Sequence, residues 1–122
     1  MITHLATAVA YVADQQASLD FFVDKLGFEL RTDGDMGPQG RWIEIAPPGA
    51  QTVLVLCDAA KFDKADRVGD SATCTFASDD VATTHKELSA RGVTVTEPVS
   101  EPWGTYLTLT DPDGNTFLVA QT

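Results

Sequence analysis

The sequence predicts an α+β fold made of two βαβββ modules, an internal repeat whose strands form a curved mixed sheet around a cleft. Three observations carry that reading. The chain closes on a dense turn signal, Asp111-Pro112-Asp113-Gly114-Asn115, between runs of threonine, aliphatic and aromatic residues at Tyr106–Thr110 and Thr116–Val119. This is hairpin chemistry, because Pro presets φ at one corner while Gly and Asn tolerate positive φ. An earlier turn, Pro47–Ala50, joins a similar pair of runs. Each pair is preceded by a helical stripe that opens on aspartate and stops at glycine, thirteen positions from Asp14 to Gly27 and twelve from Asp80 to Gly92.

In order, Leu5–Val12 alternates as a strand, with Thr7, Val9 and Tyr11 on one face and the small residues Ala8 and Ala10 with Val12 on the other. The small face suits a closely packed helix. Asp14 is the expected N-cap of that helix, Leu19, Phe22, Val23 and Leu26 its inner stripe, and Gly27 its stop. Phe28-Glu29-Leu30 begins the second strand, Thr32–Gly40 reads as a loop, and Arg41–Ala46 and Thr52–Cys57 are the strands of the first hairpin. After a charged connector the order restarts. Ala72–Ala77 is a strand, Asp80 caps a helix with inner positions Val81, Thr84, His85 and Leu88, and Gly92 ends it. Val93–Val95 is the next strand, and the loop Glu97–Gly104 leads to the closing hairpin. The expected organisation is one domain, 1–122, with modules at 4–57 and 72–122 and a linker at 58–71.

At 122 residues the chain buries enough surface to fold without staples. Cys57 and Cys74 match no metal-binding spacing and read as reduced thiols. The first lysine or arginine is Lys25, which leaves no charged n-region for a secretory signal, and no apolar run approaches the ~18 residues of a membrane span. A cytoplasmic protein without a membrane partner is expected. The net charge of −10 disfavours nucleic acid, whose affinity comes from Lys and Arg displacing counterions. It is read first as solubility, and secondarily as a preference for a neutral or cationic guest. Asp58, Asp63, Asp66 and Asp70 read as solvated linker surface.

The stretches VADQQASLDFFVDKLGFEL (Val12–Leu30), SDDVATTHKELSARGVTV (Ser78–Val95) and YLTLTDPDGNTFLVAQ (Tyr106–Gln121) together resemble the vicinal oxygen chelate superfamily, the glyoxalase, bleomycin-resistance and extradiol dioxygenase group. The likeness covers almost the whole chain. It implies the fold strongly and the function weakly, since that fold hosts isomerases, lyases, dioxygenases, transferases and binding proteins without chemistry. It also implies where the enzymes hold metal. Those positions are Thr7 and Thr73, each seven residues before a capping aspartate, Leu118, three past the Asn of the final turn, and Val53 or Leu54 in the first module. None offers an imidazole or carboxylate donor, so the mapping predicts no metal and no cofactor. The resemblance further implies a homodimer, with clefts completed between chains.

The remaining candidates come from parity and residue type. Tyr11, Trp42, Trp103 and Tyr106 hold comparable places in the two modules and are expected as walls for a flat, hydrophobic guest; core or interface filling is the alternative for the tryptophans. Thr7, Val9, Thr73, Thr75, Thr108, Thr116 and Leu118 would line the same face. Glu44 is a carboxylate in mid-strand; facing a cleft it would be a polar anchor or a base of raised pKa, and facing solvent an edge charge. His85 lies on the apolar stripe of its helix and reads as structural. His4 precedes the first strand with the wrong parity to join Thr7. Neither cysteine has a cation nearby in sequence to activate it.

These residues predict a metal-independent protein that binds a small, planar, aromatic, antibiotic-like molecule and sequesters it in the cleft, with Glu44 the only catalytic candidate. The rival is a metal-dependent lyase, isomerase or dioxygenase whose ligands lie out of the register used here, or whose chemistry centres on Glu44.

Overall fold

The computed structural model describes residues Met1–Thr122, which divide into two units, Met1–Val68 and Gly69–Thr122. In the first unit the strands are β1 (Thr7–Val12), β2 (Glu29–Asp35), β3 (Arg41–Ala46) and β4 (Val53–Asp58). They lie in the order β1-β4-β3-β2. β1 runs parallel to β4, and the two hairpin pairings are antiparallel. Parallel neighbours need a long crossover, and the helix between β1 and β2 supplies part of it.

That helix, α1 (Gln15–Asp20), begins where the Asp14 carboxylate accepts from the Ala17 amide at 3.1 Å. It widens into a π turn at Phe21–Lys25 and ends with the Phe28 amide donating to the Phe22 carbonyl, while Gly27 takes a φ of 75°. The expected stripe is corrected here. Leu19 and Phe22 are buried, but Val23 and Leu26 are only half-buried, because the π turn rotates the helix face. Gln15 and Ser18 are buried instead. Ala10, Val12, Ile43, Ile45, Leu54 and Leu56 complete this core.

A second correction concerns Thr32–Gly40. β2 continues to Asp35 with a bulge between Leu30 and Thr32, since the partner strand β3 offers pairing along its whole length. The turn Pro47–Ala50 closes as expected, and the Arg31 guanidinium donates to the Pro47 and Ala50 carbonyls, both at 3.1 Å. Residues 58–71 hold two 3-10 turns, Ala60–Phe62 and Ala65–Arg67. Asp58 is the last residue of β4, half-buried and 3.9 Å from the Lys61 ammonium.

The second unit repeats the pattern with β5 (Ser71–Ser78), α2 (Val81–Ala90), β6 (Thr94–Val95), β7 (Val99–Glu101), β8 (Gly104–Thr110) and β9 (Thr116–Gln121). The sheet order is β5-β9-β8-β6, with β7 also on β8 and β5 parallel to β9. The short strand β7 replaces part of the loop expected at Glu97–Gly104, because the chain there pairs with the start of β8. Asp80 caps α2 by accepting from the Thr83 amide, and the inner positions are the expected Val81, Thr84, His85 and Leu88. Phe117, Leu107 and Leu109 anchor this core, and Phe76 stacks on Phe117 with centroids 5.0 Å apart.

The final turn is held by its own side chains. Asp111 accepts from the Asp113 and Asn115 amides and from the Asn115 side chain, while the Asn115 side-chain oxygen Oδ1 accepts from the Gly69 amide at 2.7 Å. Burial raises the Asp111 pKa, against the lowering effect of the hydrogen bonds from Asn115 and Asp113.

Candidate functional site

Within the first unit, register decides which side chains share a face. Tyr11 lies opposite Cys57, Val9 opposite Val55 and Thr7 opposite Val53, while Glu44 lies opposite both Val55 and Thr32. The face turned away from α1 therefore carries Thr7, Val9 and Tyr11 from β1, Val53, Val55 and Cys57 from β4, and Trp42 and Glu44 from β3. A cavity of about 230 Å³ opens on it, lined by Val9, Tyr11, Met36, Arg41, Trp42, Cys57, Phe62 and Lys64. Three of the residues expected from the sequence, Val9, Tyr11 and Trp42, are thus brought together. Thr7 and Glu44 share their face without lining the cavity.

Trp42 is 38% exposed, so it does not fill the core of its unit. Its indole N–H donates to the Glu44 carboxylate at 3.1 Å, and that bond orients the ring. Cys57 forms part of the wall; burial, then the neighbouring Asp58 charge, pushes its thiol up, so it stays protonated at neutral pH and packs as a small apolar group.

The polar framework is anchored by Gln15, whose side-chain amide donates to the Arg41 and Leu56 carbonyls and whose oxygen accepts from the Arg41 amide. Gly40 approaches this glutamine so closely that a β-carbon there would meet its oxygen at 3.1 Å, at a φ of 90°. The Arg41 guanidinium in turn clasps Asp33 with two hydrogen bonds, at 3.1 and 2.6 Å, and donates to Gln16. That fork holds the Asp33 carboxyl below the usual range and raises the arginine. Arg67 lies over the Tyr11 ring at 5.5 Å, a cation–π distance.

Sequence reasoning missed Gln15, Met36, Arg41, Phe62 and Lys64. Phe62 left one usable signal, a lone aromatic ring in a charged connector. Gln15 left none, since a glutamine in a first helical turn is ordinary.

In the second unit, β5 alternates with Thr73, Thr75 and Ala77 exposed. Thr75 and Thr108 both pair with Leu118, and Tyr106 pairs with Ala120, so Thr75, Thr108, Leu118 and Tyr106 share one face. Trp103, in the turn between β7 and β8, is 63% exposed and stacks on Tyr106 with centroids 5.0 Å apart. His85 is half-buried, its Nε2 3.6 Å from a Glu97 oxygen, and His4 is exposed beside Thr3. Burial raises the Cys74 thiol, and both cysteines are free. No three His, Cys, Asp or Glu side chains come together where they could hold a metal ion. The positions at which the resembled enzymes place ligands are threonine, valine or leucine, so these residues do not fit the metal.

The two units repeat one module, βαβββ in the first and the same order with β7 added in the second, and each has its first strand parallel to its last. The chain belongs to the Glyoxalase/Bleomycin resistance protein/Dioxygenase superfamily, whose family model matches residues 2–119. It is 35% identical over 122 residues to the uncharacterized protein YetH of Bacillus subtilis (strain 168), covering 99% of this chain and 100% of that one. Its structure is similar to that of a superfamily member from Sphaerobacter thermophilus DSM 20745, at a TM-score of 0.92 and 33% identity over 99% and 98% of the two chains. It is also similar to TnmS3, an antibiotic binding protein from Streptomyces sp. CB03234, at a TM-score of 0.85 and 36% identity over 98% and 96%. No helix is long and apolar enough to cross a membrane.

Proposed function

We propose that this chain is a metal-independent binding protein that sequesters a small, planar, aromatic, antibiotic-like molecule. The supporting observation is the first-unit cavity, where Trp42 and Tyr11 stand with Val9, Met36 and Phe62 around a space of about 230 Å³. That volume lies below the ~300–1,000 Å³ of typical ligand sites, which suits a flat ring system more than a bulky guest. The chemistry of the walls suits recognition: the Cys57 thiol is kept protonated, and the Glu44 carboxylate is engaged by Trp42. The similarity to an antibiotic binding protein over nearly the whole chain points the same way.

In this reading Trp42 and Tyr11 stack on the guest and Glu44 holds the indole in position. Thr7 borders the cavity face, and Thr73, Thr75, Trp103, Tyr106, Thr108 and Leu118 form a second candidate binding face. The protein is a cytoplasmic homodimer in which 1–122 acts as one domain. Titration with a panel of planar antibiotics, followed by fluorescence in a Trp103→Phe background where Trp42 is the sole indole, tests it. Saturable quenching is expected, weakened several-fold by Tyr11→Ala, since one ring contact is worth about 0.5–1.5 kcal/mol. No saturation across the panel, or stoichiometric metal in the purified protein, overturns it.

A further inference from the structure

The chain carries eight lysines and arginines against eighteen acidic residues, yet four of the eight, Arg41, Lys61, Lys64 and Arg67, belong to the surroundings of one small cavity. They are not equivalent. Arg41 is neutralised by its two-bond clasp on Asp33, and Lys61 lies 3.9 Å from Asp58. Lys64 lines the cavity and forms no ion pair, although Asp63 precedes it. Arg67 likewise forms none, although Asp66 precedes it, and its guanidinium rests over the Tyr11 ring. Two cations without carboxylate partners, one lining the cavity and one resting on a ring of its wall, thus stand beside apolar side chains and an exposed indole.

We propose that the guest is an aromatic acid, a flat ring system bearing a carboxylate that Lys64 and Arg67 receive while the rings lie against Trp42 and Tyr11. This rests on the binding function proposed above and adds the charge of the ligand. The whole-chain charge of −10 favours a neutral or cationic guest, but at physiological ionic strength that field is screened beyond about 8 Å, and the nearest charges decide. Arg67 is suited to the task because a guanidinium stacked on a ring keeps its edge N–H groups available to a carboxylate. Its position depends on the 3-10 turn Ala65–Arg67, so the connector contributes the specificity.

The test compares three probes with one ring system: anthraquinone-2-carboxylate, its uncharged 2-carboxamide and a cationic 2-(aminomethyl) analogue. Each is titrated by calorimetry into the wild-type protein and into Lys64→Gln, Arg67→Gln and the double variant. The carboxylate is expected to bind about tenfold more tightly than the amide, the scale of one charge-assisted hydrogen bond. The ratio of acid to amide affinity should fall to about one in the double variant, and circular dichroism spectra and thermal melts matching the wild type show that the variants are folded. Equal binding of acid and amide, or tighter binding of the amine, overturns the charge assignment and leaves the binding function standing. Failure of all three probes to bind overturns both.

Discussion

Asp111 shows how one side chain can be costly and necessary together. It is only 5% exposed, and its carboxylate receives the two amides and the side-chain N–H₂ that shape the last turn. Desolvation outweighs those donors, so its folded pKa lies above the ordinary 3.8. The folded chain then holds the proton more tightly than the unfolded one, and this group's contribution to stability falls as pH rises from about 3.8 through the folded pKa. Asp111→Asn keeps one acceptor but sets an amide N–H₂ against that of Asn115. It should lose about 1–3 kcal/mol. Urea denaturation across pH 4 to 7 should show the gap to wild type shrinking toward neutrality; a constant gap would refute the titration. Burial of Asp111 and its raised pKa came only with the fold, whereas its place in a turn was plain from Asp-Pro-Asp-Gly-Asn.

Among the elements, the same turn tests how closely backbones approach. Gly114 has a φ of 84° with only ordinary contact at its missing β-carbon, the Gly69 α-carbon at 3.7 Å. Gly69 has a φ of 85°, and a β-carbon there would meet the Asp113 carbonyl oxygen at 3.3 Å. Gly114→Ala should therefore cost about 1 kcal/mol through the left-handed backbone alone. Gly69→Ala should cost more, because the Asp113 carbonyl would have to shift and disturb the bond from the Gly69 amide to Asn115. Thermal melts of the two variants check the order, and equal losses would show that the approach is slack. The elements themselves were legible where local chemistry governs them: both capping aspartates, both stopping glycines and the strand Arg41–Ala46. They were illegible where a partner decides. β2 outran its composition, β7 arose in a Pro-containing loop, and the π turn moved Val23 and Leu26 off the buried stripe.

At the scale of the whole molecule, the proposed homodimer predicts twice the chain mass in sedimentation equilibrium at micromolar concentration. A concentration-independent monomer would remove that part of the reading. The two exposed tryptophans give the measurement a second readout, since an indole covered by a partner chain should resist quenching by iodide. Trp103, at 63% exposure and stacked on Tyr106, is the more informative of the two.

The amino-acid sequence by itself determined the α+β class, the repeat, the family resemblance and the absence of donors at Thr7, Thr73 and Leu118. Those properties follow from local propensity, spacing and residue chemistry. It also placed Thr7, Val9 and Tyr11 on one face, because strand alternation is a local rule. Only the tertiary structure decided that Trp42, Met36, Arg41, Phe62 and Lys64 join Val9 and Tyr11 around the cavity and that Arg67 rests over Tyr11. The physical reason is that these contacts join segments far apart in the chain. A connector that reads as solvated charge acquires its role when β1 and β4 pair in parallel and return it beside the cavity.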